Sequence, residues 1–172
     1  YDLIREGKLF RIIALKDFGF IKKGELGGLI EKESNLSQKN ECWIYENASV
    51  TGNAEVYGNA LVSGNAEVSG NALVYGNALV LDNSKVTGNA TVYSTAYVSG
   101  NAKATKEVIT FGNIFDYDIT ITDNHIKIGC QQYLKSRWLE FTNKEILEME
   151  GKRALKFWGL FKPFAINMGF FN

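Results

Sequence analysis

A valine recurs every six residues through the middle of the chain, and a small residue follows each valine four positions later. The valines are Val50, Val56, Val62, Val68, Val74, Val80, Val86, Val92 and Val98. The small residues are Ala54, Ala60, Ala66, Ala72, Ala78, Ser84, Ala90, Ala96 and Ala102, and Gly-Asn pairs fill most of the intervals. A six-residue period fits neither a helix nor an isolated hairpin. It is typical of a parallel β-helix, in which each unit forms one short strand and one corner.

Three such units would complete a triangular coil of about 18 residues, stacked about 4.8 Å from the next coil. Because side chains alternate between the two sides of a strand, the valines and small residues would face the interior. The residues that flank each valine would face outward, and those one coil apart would stack on the same face. The period therefore predicts three outer faces.

One outer face is apolar along its length, and we call it the apolar face. It carries Trp43, Tyr45, Leu61, Leu79, Leu81 and Tyr97. Left bare, it would form a patch on the order of several hundred Å², more than most monomers expose. We therefore expect a cover for it, either another copy of the chain in a dimer or trimer or the chain's own residues 142–172. The sequence leaves both alternatives open.

A second face carries three stacked tyrosines, Tyr57, Tyr75 and Tyr93, which we call the tyrosine strip. Such rings would form a rigid, amphipathic surface with little rotamer entropy to lose on binding. Two roles fit the strip, packing against a flanking segment or docking of a partner protein or flat ligand. The third face, the solvated face, carries Ser49, Thr51, Glu67, Ser69, Lys85, Thr87 and Lys103.

The repeat spans residues 44–104 and lies between two segments of different pattern. Residues 1–43 are predicted to form a small N-terminal β cap, in which Gly27-Gly28 is interpreted as a tight turn between strands. The caps would cover the strand edges that the open ends of a coil expose.

Residues 105–172 are predicted to form a C-terminal cap that consists of a hairpin and a helix. The hairpin covers residues 119–130 and turns at Asp123-Asn124. Thr142 and Glu145 form a capping box at the start of the helix, Gly151 weakens its middle, and an aromatic tail follows. The predicted fold class is therefore mainly β, a parallel β-helix of about three coils with a cap at each end.

Charge and composition limit the kinds of molecule that the chain is expected to bind. The chain of 172 residues has 19 basic and 19 acidic side chains, so its formal net charge is zero, which argues against direct nucleic-acid binding. No apolar run approaches the length of a membrane span. Two cysteines, Cys42 and Cys130, form no disulfide or metal pattern. These features favour a cytoplasmic protein that does not bind membranes.

Groups that carry out catalysis are scarce. The single histidine, His125, lies in the predicted hairpin outside the repeat. No metal-ligand spacing, nucleophile elbow or phosphate loop is present. We therefore expect no catalytic residues, metal or cofactor. The candidate ligand contacts, for an anion or nucleotide, are Lys152, Arg153, Lys156 and Trp158 near the aromatic tail. The alternative, which we favour for the cations, is an ordinary solvated helix face.

Several segments together carry a resemblance to known proteins. The Val-x-Gly-Asn-Ala-x units resemble the hexapeptide-repeat left-handed β-helix superfamily. A narrower resemblance is to GNA-repeat proteins of phages and prophages and to bacterial homologues that carry a transferase label. It rests on residues 11–19, 24–28 and 35–37, which lead into 42–48, and on residues 123–130 with Trp138. The resemblance implies a left-handed coil.

The resemblance also implies a possible chemistry and a biological setting. The best-known enzymes of the superfamily are acyl-CoA-dependent acyltransferases with a histidine base at a trimer interface, often near a loop that interrupts the coils. Residues 44–104 contain no such loop and no histidine. We therefore favour a non-enzymatic, phage-encoded binding protein that interacts with a host protein or complex, with inhibition of a CRISPR effector as a specific form. A nucleotide-signal sequestering protein and an acyltransferase are the alternatives.

Overall fold

The computed structural model describes residues 1–112 and 117–172. The chain begins with an antiparallel hairpin of β1 (Asp2–Glu6) and β2 (Leu9–Ile13), and β2 pairs antiparallel with β3 (Leu26–Ile30). A short 3-10 helix, Glu33–Asn35, follows. These elements form the N-terminal cap.

Strands of two residues each then recur at every sixth position. They are β4 (Trp43–Ile44), β5 (Ser49–Val50), β6 (Glu55–Val56), β7 (Leu61–Val62), β8 (Glu67–Val68), β9 (Leu73–Val74), β10 (Leu79–Val80), β11 (Lys85–Val86), β12 (Thr91–Val92), β13 (Tyr97–Val98) and β14 (Lys103–Ala104). Parallel pairing joins residues 18 apart, as in Leu61 with Leu79. The result is a left-handed-β-helix-like solenoid, which confirms the predicted fold class, although it has about four turns where about three were predicted.

The three predicted faces correspond to three parallel ladders. The apolar face lies on β4-β7-β10-β13, the solvated face on β5-β8-β11-β14, and the tyrosine strip follows β6-β9-β12. The repeat valines and the small residues, together with Ile44 and Ala48, are at most 1% exposed. The core is therefore a narrow column of valine and small side chains along the solenoid axis.

The stacking begins before the repeat does. β3 pairs in parallel with β5, which places Ile30 beside Val50, and Leu36 bridges to Val56. These partners are 20 residues apart rather than 18, because Ile44 follows Leu36 by eight positions instead of six in this first coil. Gly27 and Gly28 lie inside β3 and not in a turn, so the interpretation of this pair as a turn is wrong.

Each coil turns at corner residues in the left-handed region, and most of these are glycine. Glu46 and Asp82 occupy two such corners, with φ of 55° and 62°. Their carboxylates each accept the backbone N–H of the glycine one coil later, Gly64 and Gly100, at 2.8 Å. Asparagine side chains beside the corners form ladders, as where Asn53 donates to Asn71 at 3.3 Å and Asn71 to Asn89 at 3.0 Å.

The C-terminal cap is an antiparallel sheet covered by helices. Its strands are β15 (Ile109–Phe111), β16 (Ile119–Ile121), β17 (His125–Ile128) and β18 (Gln131–Leu134), and its helices are α1 (Lys135–Glu140) and α2 (Asn143–Asn167). The predicted hairpin is confirmed, because β16 and β17 pair on either side of Asp123-Asn124. This turn also closes the edge of β14. Asn124 Oδ1 accepts from the Lys103 N–H and Asp123 Oδ2 from the Thr105 N–H, both at 2.8 Å.

Helix α2 packs on this sheet. Its buried side chains form one apolar cluster with those of the sheet and with Trp138. The helix breaks at Glu150-Gly151, where Gly151 has φ of 68° and ψ of −152°, a conformation that essentially only glycine adopts. The glycine predicted to weaken the helix thus divides it into two segments.

The predicted capping box at the start of α2 is confirmed, and its contribution to the stability of the fold depends on pH. Glu145 Oε2 accepts the Thr142 N–H at 2.8 Å, and Glu145 Oε1 accepts from Arg137 at 2.6 Å. The bond from the Thr142 backbone, followed by those from its hydroxyl and from Arg137, lowers the pKa of Glu145 from 4.5 to about 2. A carboxyl with a lowered folded-state pKa stabilises the fold above its unfolded pKa and loses this effect as pH falls through the folded value.

We therefore expect wild type to melt above a Glu145→Gln variant at neutral pH, by a margin that shrinks as pH falls from 4.5 towards 2. Thermal unfolding of both proteins across this range measures the margin. A margin that is the same at pH 7 and at pH 2 would contradict the assignment.

Candidate interaction surfaces

The tyrosine strip is a stack of nearly parallel rings. The Tyr57 and Tyr75 centroids are 4.9 Å apart with ring planes 2° from parallel, and those of Tyr75 and Tyr93 are 5.8 Å apart at 19°. Each ring follows an inward valine whose coil register is set by parallel pairing. All three side chains are half-buried. The strip is therefore a flat aromatic surface whose spacing comes from the backbone.

Acidic side chains lie at both ends of the strip. Burial, then the neighbouring Tyr75 and Glu55, raise the pKa of Tyr57. At the other end, a hydrogen bond to the Glu107 carboxylate, then burial, raises the pKa of Tyr93. The Tyr57 hydroxyl therefore stays protonated near pH 7 and can donate a hydrogen bond to a partner, whereas the Tyr93 hydroxyl faces Glu107. Glu107 belongs to the segment that continues the solenoid, where it bridges to Thr91, so a flanking segment lies beside this end of the strip.

The apolar face is covered at its N-terminal end by the chain itself. Trp43 is 1% exposed. Phe18 packs edge-on against it at 5.4 Å between centroids, and Tyr1 does so at 6.5 Å. The Tyr1 hydroxyl lies within donating distance of the backbone oxygens of Glu33 and Leu36, at 2.9 and 2.7 Å, and its one proton can serve either. The loop that holds Phe18 was not predicted to reach this face.

The C-terminal end of the same face lies under the C-terminal sheet. Lys127 Nζ sits 4.4 Å from the Tyr97 ring centroid, and the Tyr97 N–H donates to Thr120 Oγ1 at 3.2 Å. Ser99 exchanges two hydrogen bonds with Gln132, each of 2.8 Å. Leu61, Leu79 and Leu81 between these covers are half-buried, as is Tyr45. The caps thus reach the two ends of the apolar face, while α2 packs on the C-terminal sheet.

The four candidate ligand contacts do not form one site. Lys152 and Lys156 are exposed on the second segment of α2, and the Arg153 guanidinium lies 5.1 Å from the centre of the Tyr117 ring. Trp158 is 4% exposed and packs 5.2 Å from Trp138. The cavity beside Trp158 has a volume of about 30 Å³, the space of one or two water molecules. A nucleotide base could stack on Trp158 only if α2 moved.

His125 lies on β17, half-buried, and burial lowers its pKa. Its Nδ1 is buried and has no hydrogen-bond partner among the described residues. A histidine that acts as a general base is normally held in orientation by a hydrogen bond to its other ring nitrogen. The described residues supply no such hydrogen bond to His125 Nδ1. The described residues contain no group of three or more side chains that could hold a metal ion. None of the described helices has the length and apolar character needed to cross a membrane.

Comparison with known proteins gives one partial similarity and no family. No family model matches the chain. The chain is similar to a protein of Escherichia coli (strain K12) described as the uncharacterized acetyltransferase YdcK, with 45% identity over 47 residues. The match covers 27% of this chain and 14% of that protein. The chain thus matches only a small part of the relative's length.

Proposed function

We propose that this protein is a binding scaffold that recognises another protein through the tyrosine strip. The single observation that carries the proposal is the stack of Tyr57, Tyr75 and Tyr93 on successive coils. Tyrosine is enriched in protein interfaces because it buries a large apolar area and still offers a hydroxyl.

Rigidity strengthens this argument. The backbone at two of the three rings is bonded to the next coil: the Tyr57 N–H donates to the Val74 carbonyl at 3.0 Å and the Tyr75 N–H to the Val92 carbonyl at 2.9 Å. Binding therefore orders little that is not already ordered, which lowers the entropic penalty of association. Because Glu55 and Glu107 flank the rings, the complementary partner surface is flat and carries basic side chains.

The resemblance to phage and prophage proteins suggests the setting for this proposal. A phage-encoded scaffold would act in the bacterial cytoplasm on a host protein or complex. Inhibition of a defence system such as a CRISPR effector is the specific form that we propose.

The test is affinity capture from host lysate, followed by a measured affinity for each captured protein. The test variant replaces Tyr57, Tyr75 and Tyr93 with serine, and the control replaces Thr51, Ser69 and Thr87 with alanine at the equivalent positions on the solvated face. We expect the tyrosine variant to lose at least about 100-fold in affinity, since buried aromatic hot spots contribute on the order of 2 kcal/mol or more each. The control should bind within about threefold of wild type, because surface changes typically have effects within about 0.5 kcal/mol. Equal capture by both variants would contradict the proposal.

Acyl transfer is the second candidate, and the partial similarity to YdcK favours it. It requires a base, and His125 is the one histidine of the chain. Turnover of acetyl-CoA with an amine acceptor that is lost in His125→Ala would support this alternative and count against the scaffold.

A further inference from the structure

A tight turn in the N-terminal cap holds one phenylalanine out in solvent. Phe18 and Ile21 exchange two backbone hydrogen bonds, of 3.1 and 2.8 Å, around Gly19 and Phe20. Gly19 has φ of 48°. The side chain of Phe20 is 98% exposed, the highest value among the large apolar side chains of the described residues. Because two backbone hydrogen bonds close the turn, the backbone of Phe20 is held in place and its side chain projects into solvent.

A groove of about 120 Å³ lies beside this ring. Its lining consists of Phe18 and Ile21 from the same turn, Tyr45 and Leu61 from the solenoid, and the polar side chains of Glu41 and Asn59, with Phe20 itself in the wall. An enclosed cavity of about 150 Å³ holds a whole benzene molecule, so an open groove of about 120 Å³ can take up most of one phenyl ring. Phe18, Tyr45 and Leu61 also belong to the edge of the solenoid core, so the groove has an apolar floor.

Charged side chains of opposite sign lie in the groove and close to Phe20 in the sequence. Glu41 lines the groove, and Lys23 follows Phe20 by three residues. Both side chains are exposed, and neither forms an ion pair within 4.0 Å in the described part of the chain. The turn and its groove thus combine a protruding ring, a recess of similar size, an exposed carboxylate, and an exposed lysine three residues after the ring.

We propose that this surface binds a second copy of the same chain. In a twofold-symmetric dimer the same surface of both copies forms the interface. A protruding ring beside a recess suits this arrangement, because the ring of each copy meets the recess of the other. Phe20 of each copy enters the groove of the other, and Lys23 faces the Glu41 carboxylate across the interface. The zero net charge of the chain gives no overall repulsion between copies. Leu61 links the interface to the half-buried middle of the apolar face, while the tyrosine strip lies on a different ladder.

Sedimentation equilibrium of the full chain tests this proposal over a wide concentration range. Wild type should show a reversible monomer–dimer equilibrium, and Phe20→Ser should raise the dimer Kd at least about 100-fold because two rings leave the interface. The control is Leu160→Ser, which removes another apolar side chain that is 60% exposed, on α2. The control should keep the wild-type Kd.

Charge reversal supplies an independent measurement. Glu41→Lys and Lys23→Glu should each weaken the dimer, and the double variant should recover most of the loss. A monomer at every concentration, a trimer, or an unchanged Kd in Phe20→Ser would overturn the proposal. Because the Phe20 ring is exposed, its removal leaves the fold intact, and circular dichroism of the variant verifies this. The affinity-capture result for the tyrosine strip does not depend on this outcome.

Discussion

Replacement of Gly28 by alanine is expected to destabilise the solenoid by about 3 kcal/mol, since overpacking a well-packed core by even one methyl group costs about 1–3 kcal/mol and sometimes more. A methyl group on Gly28 would lie 2.3 Å from Ile44 Cγ2 and 2.5 Å from the Ala48 carbonyl oxygen. The second contact is with backbone, which cannot move aside without displacing the coil. The loss should appear as a fall in Tm of roughly 6–12 °C for a chain of this size.

The chain offers a control in which the same glycine-to-alanine substitution is expected to raise stability instead of lowering it. Gly159 lies in the second segment of α2, and a methyl group there would meet nothing within 4 Å. Gly159→Ala should raise stability by about 0.5–1 kcal/mol, because glycine is unfavourable inside a helix. Differential scanning calorimetry of both variants gives the comparison. If Gly28→Ala has the same melting temperature as wild type, β3 does not pack against the coil as described.

Replacement of Asn35 by alanine is expected to cost at least about 3 kcal/mol, because each buried polar group left without a partner costs about 1–3 kcal/mol. Asn35 is 0% exposed. Its amide nitrogen donates to the Gly52 and Ala54 carbonyls, at 3.1 and 2.8 Å. Its amide oxygen accepts the N–H groups of Glu31 and Lys32, at 3.2 and 2.9 Å. One side chain therefore bonds to four backbone groups at the end of the solenoid, of which the Glu31 N–H has a second partner, the Val50 carbonyl at 3.1 Å.

Asn71→Ala is the matched control for this change. Asn71 is exposed in the middle of an asparagine ladder, so water can replace its partners, and its loss should cost less than about 1 kcal/mol. Asn35→Asp should be at least as harmful as Asn35→Ala, since a carboxylate cannot donate to the two carbonyls and would be charged in a buried site. Equal melting temperatures for Asn35→Ala and Asn71→Ala would show that water reaches the Asn35 site.

The features that follow from the six-residue period were predictable from sequence alone. The valine and small positions form the core, and the outer residues divide among the faces as the 18-residue coil requires. The Asp123-Asn124 turn and the Thr142–Glu145 capping box were equally accessible, because both are local patterns with a defined hydrogen-bond geometry.

Features that depend on contacts between distant residues were not predictable. The first coil has a spacing of 20 residues, so Ile30 and Leu36 do not continue the valine phase. Gly27-Gly28 has the composition of a turn, and only the approach of Ile44 and Ala48 shows why side chains are absent there. The exposure of Phe20 depends on how the turn at residues 18–21 is oriented against the solenoid, and the sequence contains no signal for that orientation.

The two caps bond to different coils, so the number of coils between them can change without altering either cap. Asn35 bonds to residues 52–54, whereas Asp123 and Asn124 bond to residues 103–105. The coils between them contact their neighbours through ladders that are alike at every level. Gain or loss of whole coils by gene duplication or deletion would therefore leave both ends intact, and each added coil could extend the aromatic surface by one ring. The size of the binding surface can thus evolve independently of the two ends of the solenoid.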